Sequence, residues 1–340
     1  FQPLHLVIIE EPEAHLHAQV QQVFIKEAYK VLRNHPELGN KIQFHTQLLI
    51  STHSNHIAHE IDFISLRYFK RNPGIKGGLS TSTVVNLSTT FGSEDKTTKF
   101  AIRYLQTTHS DLFFADAVII VEGPVERMLI PHFIKNQHNK LSTCYISILE
   151  IGGSHAHTLL PLLEQLGVIT LIITDIDTVN TPGNKKCQPK RASNQITNND
   201  TLKKILSKSK KLDDLYAVKF EEKLYKTHPI RVAFQTPVKV TAKDETLPYT
   251  FEDSLVMENK NLFSTLPTAT GLLQKMILAA KKSDFNDSSQ SMYECITAKS
   301  VKKAEFALEL LYLKEPNVLN VPQYIKEGLV WMEEKLEIKQ

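Results

Sequence analysis

Long apolar runs are missing from this sequence. No stretch approaches the roughly 18–20 residues needed to cross a bilayer, and no secretory signal pattern opens the chain. No membrane association is therefore expected. Cysteine is also scarce: Cys144, Cys187 and Cys295 are the only 3 in 340 residues, far apart and without paired spacing. That excludes a disulfide framework and a zinc ribbon, and it fits a reducing cytoplasm. Charge of one sign is absent overall, since 40 Lys and Arg against 37 Asp and Glu leave a net of +3. Such a balance does not by itself argue for a nucleic-acid partner. There is no low-complexity tract and no repeat of solenoid period. No G-x-x-x-x-G-K-[ST] phosphate loop occurs either, so these residues alone cannot cradle a triphosphate.

What is present reads as soluble and globular, with 41% hydrophobic and 23% charged residues. The length allows two domains, each with a core of its own. The pattern places the first over residues 1–110 and the second over 111–340. The chain plunges into a strand within a few residues of Phe1, which leads us to expect that an N-terminal part is missing. The local charge is more telling than the total. From Lys185 to Lys211 nine basic residues face one acid, Asp200, a local +8. A solvated face and a phosphate-contacting surface both fit that composition.

In the first domain "LVIIEEPEAHLH" is an apolar strand near Leu4–Ile9, expected to be buried, that runs into Glu10 and Glu11. A helix to about Leu32 and a second strand, "QLLISTHS", follow, and a connecting helix is expected around Thr97–Thr107. A carboxylate at a strand's carboxyl end can reach Mg²⁺ while its neighbour positions a water. His53, behind the second strand, can sense a γ-phosphate. These residues resemble the second half of an ABC-type ATPase of the recombination-repair and SMC-like group. The resemblance implies Glu10 in the magnesium shell, Glu11 as hydrolytic base, "PEAHLH" as the D-loop and His53 as the switch histidine. The family more often has Asp where Glu10 stands.

The second domain alternates strands (118–121, 145–151, 168–174) with helices (125–137, 156–166), the signature of a parallel sheet with crossover helices. "AVIIV" and "VITLIIT" are continuous apolar runs, as strands buried on both faces require. Residues 178–213 break the pattern as an insertion with one helix. "YAVKF" and "RVAFQTPVKV" read as resumed strands, and the chain from Phe251 reads as helical. "VIIVEGPVERMLIP" puts Glu122 at the end of the first strand and Glu126 on the first turn of the helix behind it. Read alone, these acids suit a helix N-terminus. "VITLIITDIDTV" then ends another apolar run with Asp175 and Asp177, which alternation points to one side. Carboxyl ends of parallel strands gather functional residues. At least three carboxylates brought together there repel unless cations intervene, and hard Mg²⁺ or Mn²⁺ suits an all-oxygen site.

"VEGPVERMLIP", "EIGGSHAH" and "TDIDT" together resemble a Toprim domain. An ABC-type ATPase followed by Toprim resembles the OLD (overcoming lysogenization defect) family of ATP-dependent endonucleases, which includes the nuclease subunit of the Gabija antiphage system. The implied fold is α/β: the C-terminal part of an ABC-type ATPase domain, then a Rossmann-like Toprim domain with a helical insertion and a helical C-terminal region. "LPYTFEDSLVMEN" resembles the family's T-x-E segment and makes Glu252 a further metal ligand. "VKKAEFALELL" resembles its K-x-x-F-A segment and makes Lys303 the transition-state lysine, with Lys302 the one-residue alternative. "NNDTLKKIL" matches a family stretch and is read as structural. Two Mg²⁺ or Mn²⁺ ions on Glu122, Glu126, Asp175, Asp177 and Glu252 are implied, with ATP and Mg²⁺ in the complete ATPase domain. The implied substrate is DNA, and the implied assembly a homodimer or higher oligomer with a possible helicase-like or other defence partner. A nucleotide-gated DNA-binding scaffold, and a Toprim enzyme acting on RNA or nucleotides, are the rival readings. The pairs His15/His17 and His155/His157 lack an HExxH or Cys/His context and are read as structural.

Overall fold

The computed structural model describes residues 6–33, 46–72, 74, 78–90, 103–104, 110–239, 245–299, 301–313 and 318–339. It divides into two compact units, Phe1–Ala115 and Asp116–Gln340.

In the first unit β1 (Leu6–Glu10) leads through α1 (Ala18–Arg33) to β2 (Gln47–Ser51). The two strands pair in parallel with Glu10 opposite Ser51, so both carboxyl ends finish level. A crossover helix is what a parallel pair requires. The expected burial of β1 is not found: Leu6 and Ile8 are 48% and 68% exposed. The strand alternates exposed and half-buried residues, as a sheet covered on one face does. α2 (Asn55–Glu60) and the antiparallel pair β3 (Arg67–Asn72) and β4 (Thr81–Asn86) follow. The connecting helix expected around Thr97–Thr107 lies almost wholly outside the described residues.

The second unit is built on β5 (Ala117–Val121), α3 (Pro124–Gln137), β6 (Ile146–Glu150), α4 (Leu160–Leu166) and β7 (Ile169–Ile173). After the short strands β8 (Thr178–Val179) and β9 (Ile196–Thr197) come α5 (Asp200–Ile205), α6 (Leu212–Ala217) and β10 (Ile230–Ala233). The four longer strands form one parallel sheet in the order β10-β7-β5-β6. Every residue of β5 and β7 is buried, because each lies between two neighbours with cover on both faces. One cover is the main core, where Ile119, Val121, Leu171 and Ala233 meet Leu129 and Phe133 of α3. On the insertion's side, Val232 and Phe234 pack with Ile176, Leu202, Leu206, Leu212 and Leu215 in a smaller core of their own.

The expected strand at "YAVKF" is instead the end of α6, followed by a 3-10 turn over Phe220–Glu222. Leu212 and Leu215 fall on one helical face, Asp213 and Asp214 suit a first helical turn, and that local pattern absorbs Tyr216 and Ala217. From Phe251 onward the described elements are helical: α7 (Phe251–Glu258), α8 (Lys260–Thr265), α9 (Gly271–Ala280), α10 (Phe285–Thr297), α11 (Lys303–Leu311) and α12 (Gln323–Lys339). Gly328 lets α12 lie close on β7. A Cβ there would stand 2.6 Å and 2.9 Å from the two methyls of buried Leu171. Gly328→Val is accordingly expected to lower stability by about 1–3 kcal/mol through overpacking, read as a lower urea midpoint at unchanged m-value.

Candidate active site

Three neighbouring parallel strands deliver the site. Glu122 follows β5, Thr174 and Asp175 follow β7, and Gln235 lies two residues beyond β10. Glu122 Oε1 accepts from the Thr174 hydroxyl, from the Asp175 backbone N–H at 3.3 Å and from the Asn199 side-chain amide at 3.1 Å. Asp175 Oδ1 accepts from Gln235 Nε2 at 2.5 Å, while Gln235 Oε1 takes the Ile176 N–H at 3.0 Å. Glu122 and Asp175 therefore lie on the same end of the sheet, within one hydrogen bond of each other.

Glu126 is buried on the first turn of α3. Gly123 makes room for it, since a Cβ there would come 3.1 Å from Glu126 Oε2. Glu252, 1% exposed at the start of α7, accepts from Thr250 Oγ1 at 2.6 Å and from Lys303 Nζ at 3.0 Å. Asp253 beside it closes the helix start by accepting from the Tyr249 and Thr250 N–H groups at 2.7 and 2.8 Å. Lys303 faces this acidic group, whereas Lys302 points its ammonium at exposed Glu305, 2.6 Å away.

The electrostatics follow from burying like charges together. Burial raises Glu122, helped by Asp177 and opposed by its hydrogen bonds. Burial and then the Glu122 carboxylate hold Asp175 well above the ordinary value, against Lys303. Glu126 is pushed up to about 8 by burial and by Glu252. Burial alone would pull Lys303 down, but Glu252 and Asp175 outweigh it and hold the ammonium above the ordinary lysine value. The cluster thus carries more acid than its facing lysine offsets. All donors are oxygens, the set that hard divalent cations prefer. Among the described residues no three His, Cys, Asp or Glu side chains already converge on one ion position. The acids are engaged with Thr, Asn, Gln and Lys partners instead.

Asp177 departs from the expected alternation. The strand ends at Ile173, and Asp177 has φ +50°, so Asp175 and Asp177 are not consecutive same-side residues of one extended run. Its carboxylate lies 4.0 Å from Lys186 of the insertion. Burial raises its pKa against the opposing fields of Lys186, Lys303 and Lys203.

Residues 113–177 match the family description of the overcoming lysogenization defect protein-like Toprim domain, and residues 2–58 match an AAA ATPase domain. The chain carries an OLD-like Toprim domain. It is 31% identical over 350 aligned positions to Endonuclease GajA of Bacillus cereus strain HuB5-5, an alignment covering 98% of this chain and 49% of that protein. To Endonuclease GajA of Bacillus cereus strain VD045 it is 25% identical over 185 positions, 53% of this chain and 28% of that one. The chain thus spans half or less of the curated relatives it matches. The C-terminal region of the Burkholderia pseudomallei OLD protein overlays 66% of this chain and 99% of its own at 16% identity. The TM-score of that overlay is 0.37.

In the ATPase unit the acids and the histidine meet where β1 and β2 end. Glu11 takes a left-handed conformation (φ 44°), its N–H donates to the Ser51 carbonyl at 2.9 Å, and its carboxylate lies 3.1 Å from His53 Nε2. Glu10 ends β1, exposed. Glu13 was given no role of its own by the sequence, yet it fixes His53: Glu13 Oε1 accepts from the His53 N–H at 2.5 Å and from the Thr52 hydroxyl at 2.8 Å.

In the Toprim domain the missed residues are Thr174, Asn199 and Gln235. Asn199 sits in the "NND" stretch, and nothing in its local pattern announces Glu122, 77 positions upstream, as its partner. For Gln235 the one available signal is its position just beyond an apolar strand. The raised Glu126 carboxyl has a stability consequence in metal-free buffer. Its ordinary value is 4.5 and its folded value about 8, so its contribution is complete below 4.5 and lost as pH rises to about 8. Burial, Glu252 and Glu122 set that direction and Lys303 opposes it. In EDTA, urea unfolding should show stability falling across that window by up to about 1.4 kcal/mol per pH unit from this group, and Glu126→Gln should remove that slope.

Proposed function

We propose that this chain is the nuclease-bearing part of an ATP-regulated, metal-dependent DNA endonuclease or nickase of the OLD family, working in antiphage defence or DNA processing. The observation that carries the reading is the meeting of Glu122 and Asp175 from adjacent parallel strand ends, 3.3 Å apart from carboxylate to backbone N–H. Buried Glu126 and Glu252 stand with them, and Lys303 bonds to Glu252. The name of the two relatives, endonuclease, supports the same reading.

Glu122, Glu126, Asp175, Asp177 and Glu252 would hold Mg²⁺ or Mn²⁺, which when bound supplies an ionised water and offsets charge on the leaving oxygen. The rearrangement needed is local, because the acids are engaged by neutral donors, by Lys303 and, at Asp177, by Lys186. Thr174, Asn199 and Gln235 orient two of the carboxylates. Lys303 is placed to offset charge on the phosphoryl oxygens, and its bond to Glu252 holds it at the site until substrate competes for it. Glu10, Glu11 and His53 take part in binding ATP with Mg²⁺ in the complete ATPase domain, and ATP regulates the Toprim site. We place the protein in the cytoplasm as a homodimer or larger assembly, with room for a helicase-like partner. Among the described residues no helix is long and apolar enough to cross a membrane.

The DNA backbone would run along the insertion. Lys186, Lys204, Lys208, Lys210 and Lys211 line that segment, Lys186 stands 4.0 Å from the Asp177 carboxylate at the edge of the acidic site, and Lys203 is paired with Asp200. Binding should therefore weaken steeply with salt. Lys204→Ala with Lys208→Ala should lower the slope of log K against log salt by about one for each phosphate left without its lysine, measured by fluorescence anisotropy on a duplex.

Activity is tested on supercoiled plasmid with Mn²⁺. The wild-type chain is expected to nick it, and Glu122→Ala to nick at least about 100-fold more slowly, the scale of losing a charge-stabilising group. Equal rates would overturn the reading. Tight DNA binding with no turnover would favour the scaffold, and cleavage confined to RNA or nucleotides would move the substrate class.

A further inference from the structure

Asn199 is fully buried, and its side chain is used at both ends. Oδ1 accepts from the Leu202 N–H at 3.0 Å and so caps α5. Only the carbonyl end of an amide can accept from an N–H, so this bond fixes which end points the other way. Nδ2 accordingly turns toward the acids: it lies 3.1 Å from Glu122 Oε1, 2.6 Å from Thr174 Oγ1 and 2.7 Å from the Asp175 carbonyl. The residues on either side are tied down as well. The Asn198 N–H donates to the Asp177 carbonyl at 2.9 Å, the Thr197 hydroxyl to the Ile176 carbonyl at 2.6 Å, and the Thr201 hydroxyl to the Ser154 carbonyl at 2.6 Å. The residues from Thr197 to Thr201 therefore clip the loop after β7 to the turn after β6, and within that segment Asn199 carries the clip to a carboxylate.

We infer that Asn199 is a positioning residue for the metal function of Glu122, and that this is the task of the insertion's first helix start. The inference rests on the metal reading of the site proposed above. Ligating carboxylates depend on hydrogen-bond partners for orientation, and loss of such a partner typically costs ~10–100-fold in metal affinity or activity. The Nδ2 end also ties the loop after β7 through Thr174 and the Asp175 carbonyl. A role through that loop would therefore weaken metal binding even without Glu122, whereas a role through Glu122 would not, and the double variant separates the two.

Asn199→Ser keeps a capping oxygen but has no group that reaches Glu122. Asn199→Thr keeps the capping oxygen and more of the volume, and serves if the serine variant does not fold. The probe is Mn²⁺ alone, titrated into the 340-residue chain and followed by the electron-spin resonance of free Mn²⁺. Four proteins are compared: wild type, the Asn199 variant, Glu122→Ala, and the double variant. The Asn199 variant is expected to bind Mn²⁺ ~10–100-fold more weakly than wild type, and the double variant no more weakly than Glu122→Ala alone. Unchanged binding in the Asn199 variant, or losses that multiply in the double variant, would overturn the positioning role and leave the metal site standing. A wild-type chain that binds no Mn²⁺ would instead sink the metal reading, and this inference with it.

Discussion

The site rests on an excess of buried carboxyl groups over facing cations. Glu122, Glu126, Asp175 and Glu252 come from three separate stretches of chain, and the fold brings them together with Lys303 as the facing ammonium. Burial and mutual repulsion make such a group costly, since an ionised carboxylate removed from water must be paired or hydrogen-bonded. The surroundings read as a response to that constraint. Thr174, Asn199 and Gln235 direct their donors at Glu122 and Asp175, and Thr250 turns its hydroxyl to Glu252. The parallel sheet supplies the rigidity: β5 and β7 are buried along their whole length, so the acids at their ends have no freedom to drift apart. Carboxyl groups packed this densely need a scaffold of that kind to stay together.

How much of this was legible in the sequence depends on the range of the interaction. The continuous apolar runs at Ala117–Val121 and Ile169–Ile173 identify themselves, and an acid stands just behind each, so Glu122 and Asp175 could be paired from the residues alone. Asp177 shows where periodicity stops being a guide. The alternation rule applies to extended chain, and the chain leaves the strand at Ile173. Glu252 and Lys303 carry no local mark and were reached only through resemblance to a family. Asn199, Gln235 and Glu13 were assigned no such role, because each acts on a partner distant in sequence through a polar side chain that also suits a loop or cap. "YAVKF" failed for a related reason: β-favouring residues were taken up by a helix begun at Leu212.

The ATPase unit repeats the same device on a smaller scale. Two parallel strands end level, Glu10 opposite Ser51, and the segments beyond them carry Glu11, Glu13 and His53 into contact. In both units the level strand ends decide which segments can meet, because the groups concerned lie just beyond those ends.

The insertion's separate core has an evolutionary consequence. Ile176, Leu202, Leu206, Leu212 and Leu215 pack on Val232 and Phe234, apart from the large core beneath the sheet. The outward residues of this segment, its length and its lysines, can therefore change without disturbing the packing that sustains the parallel sheet.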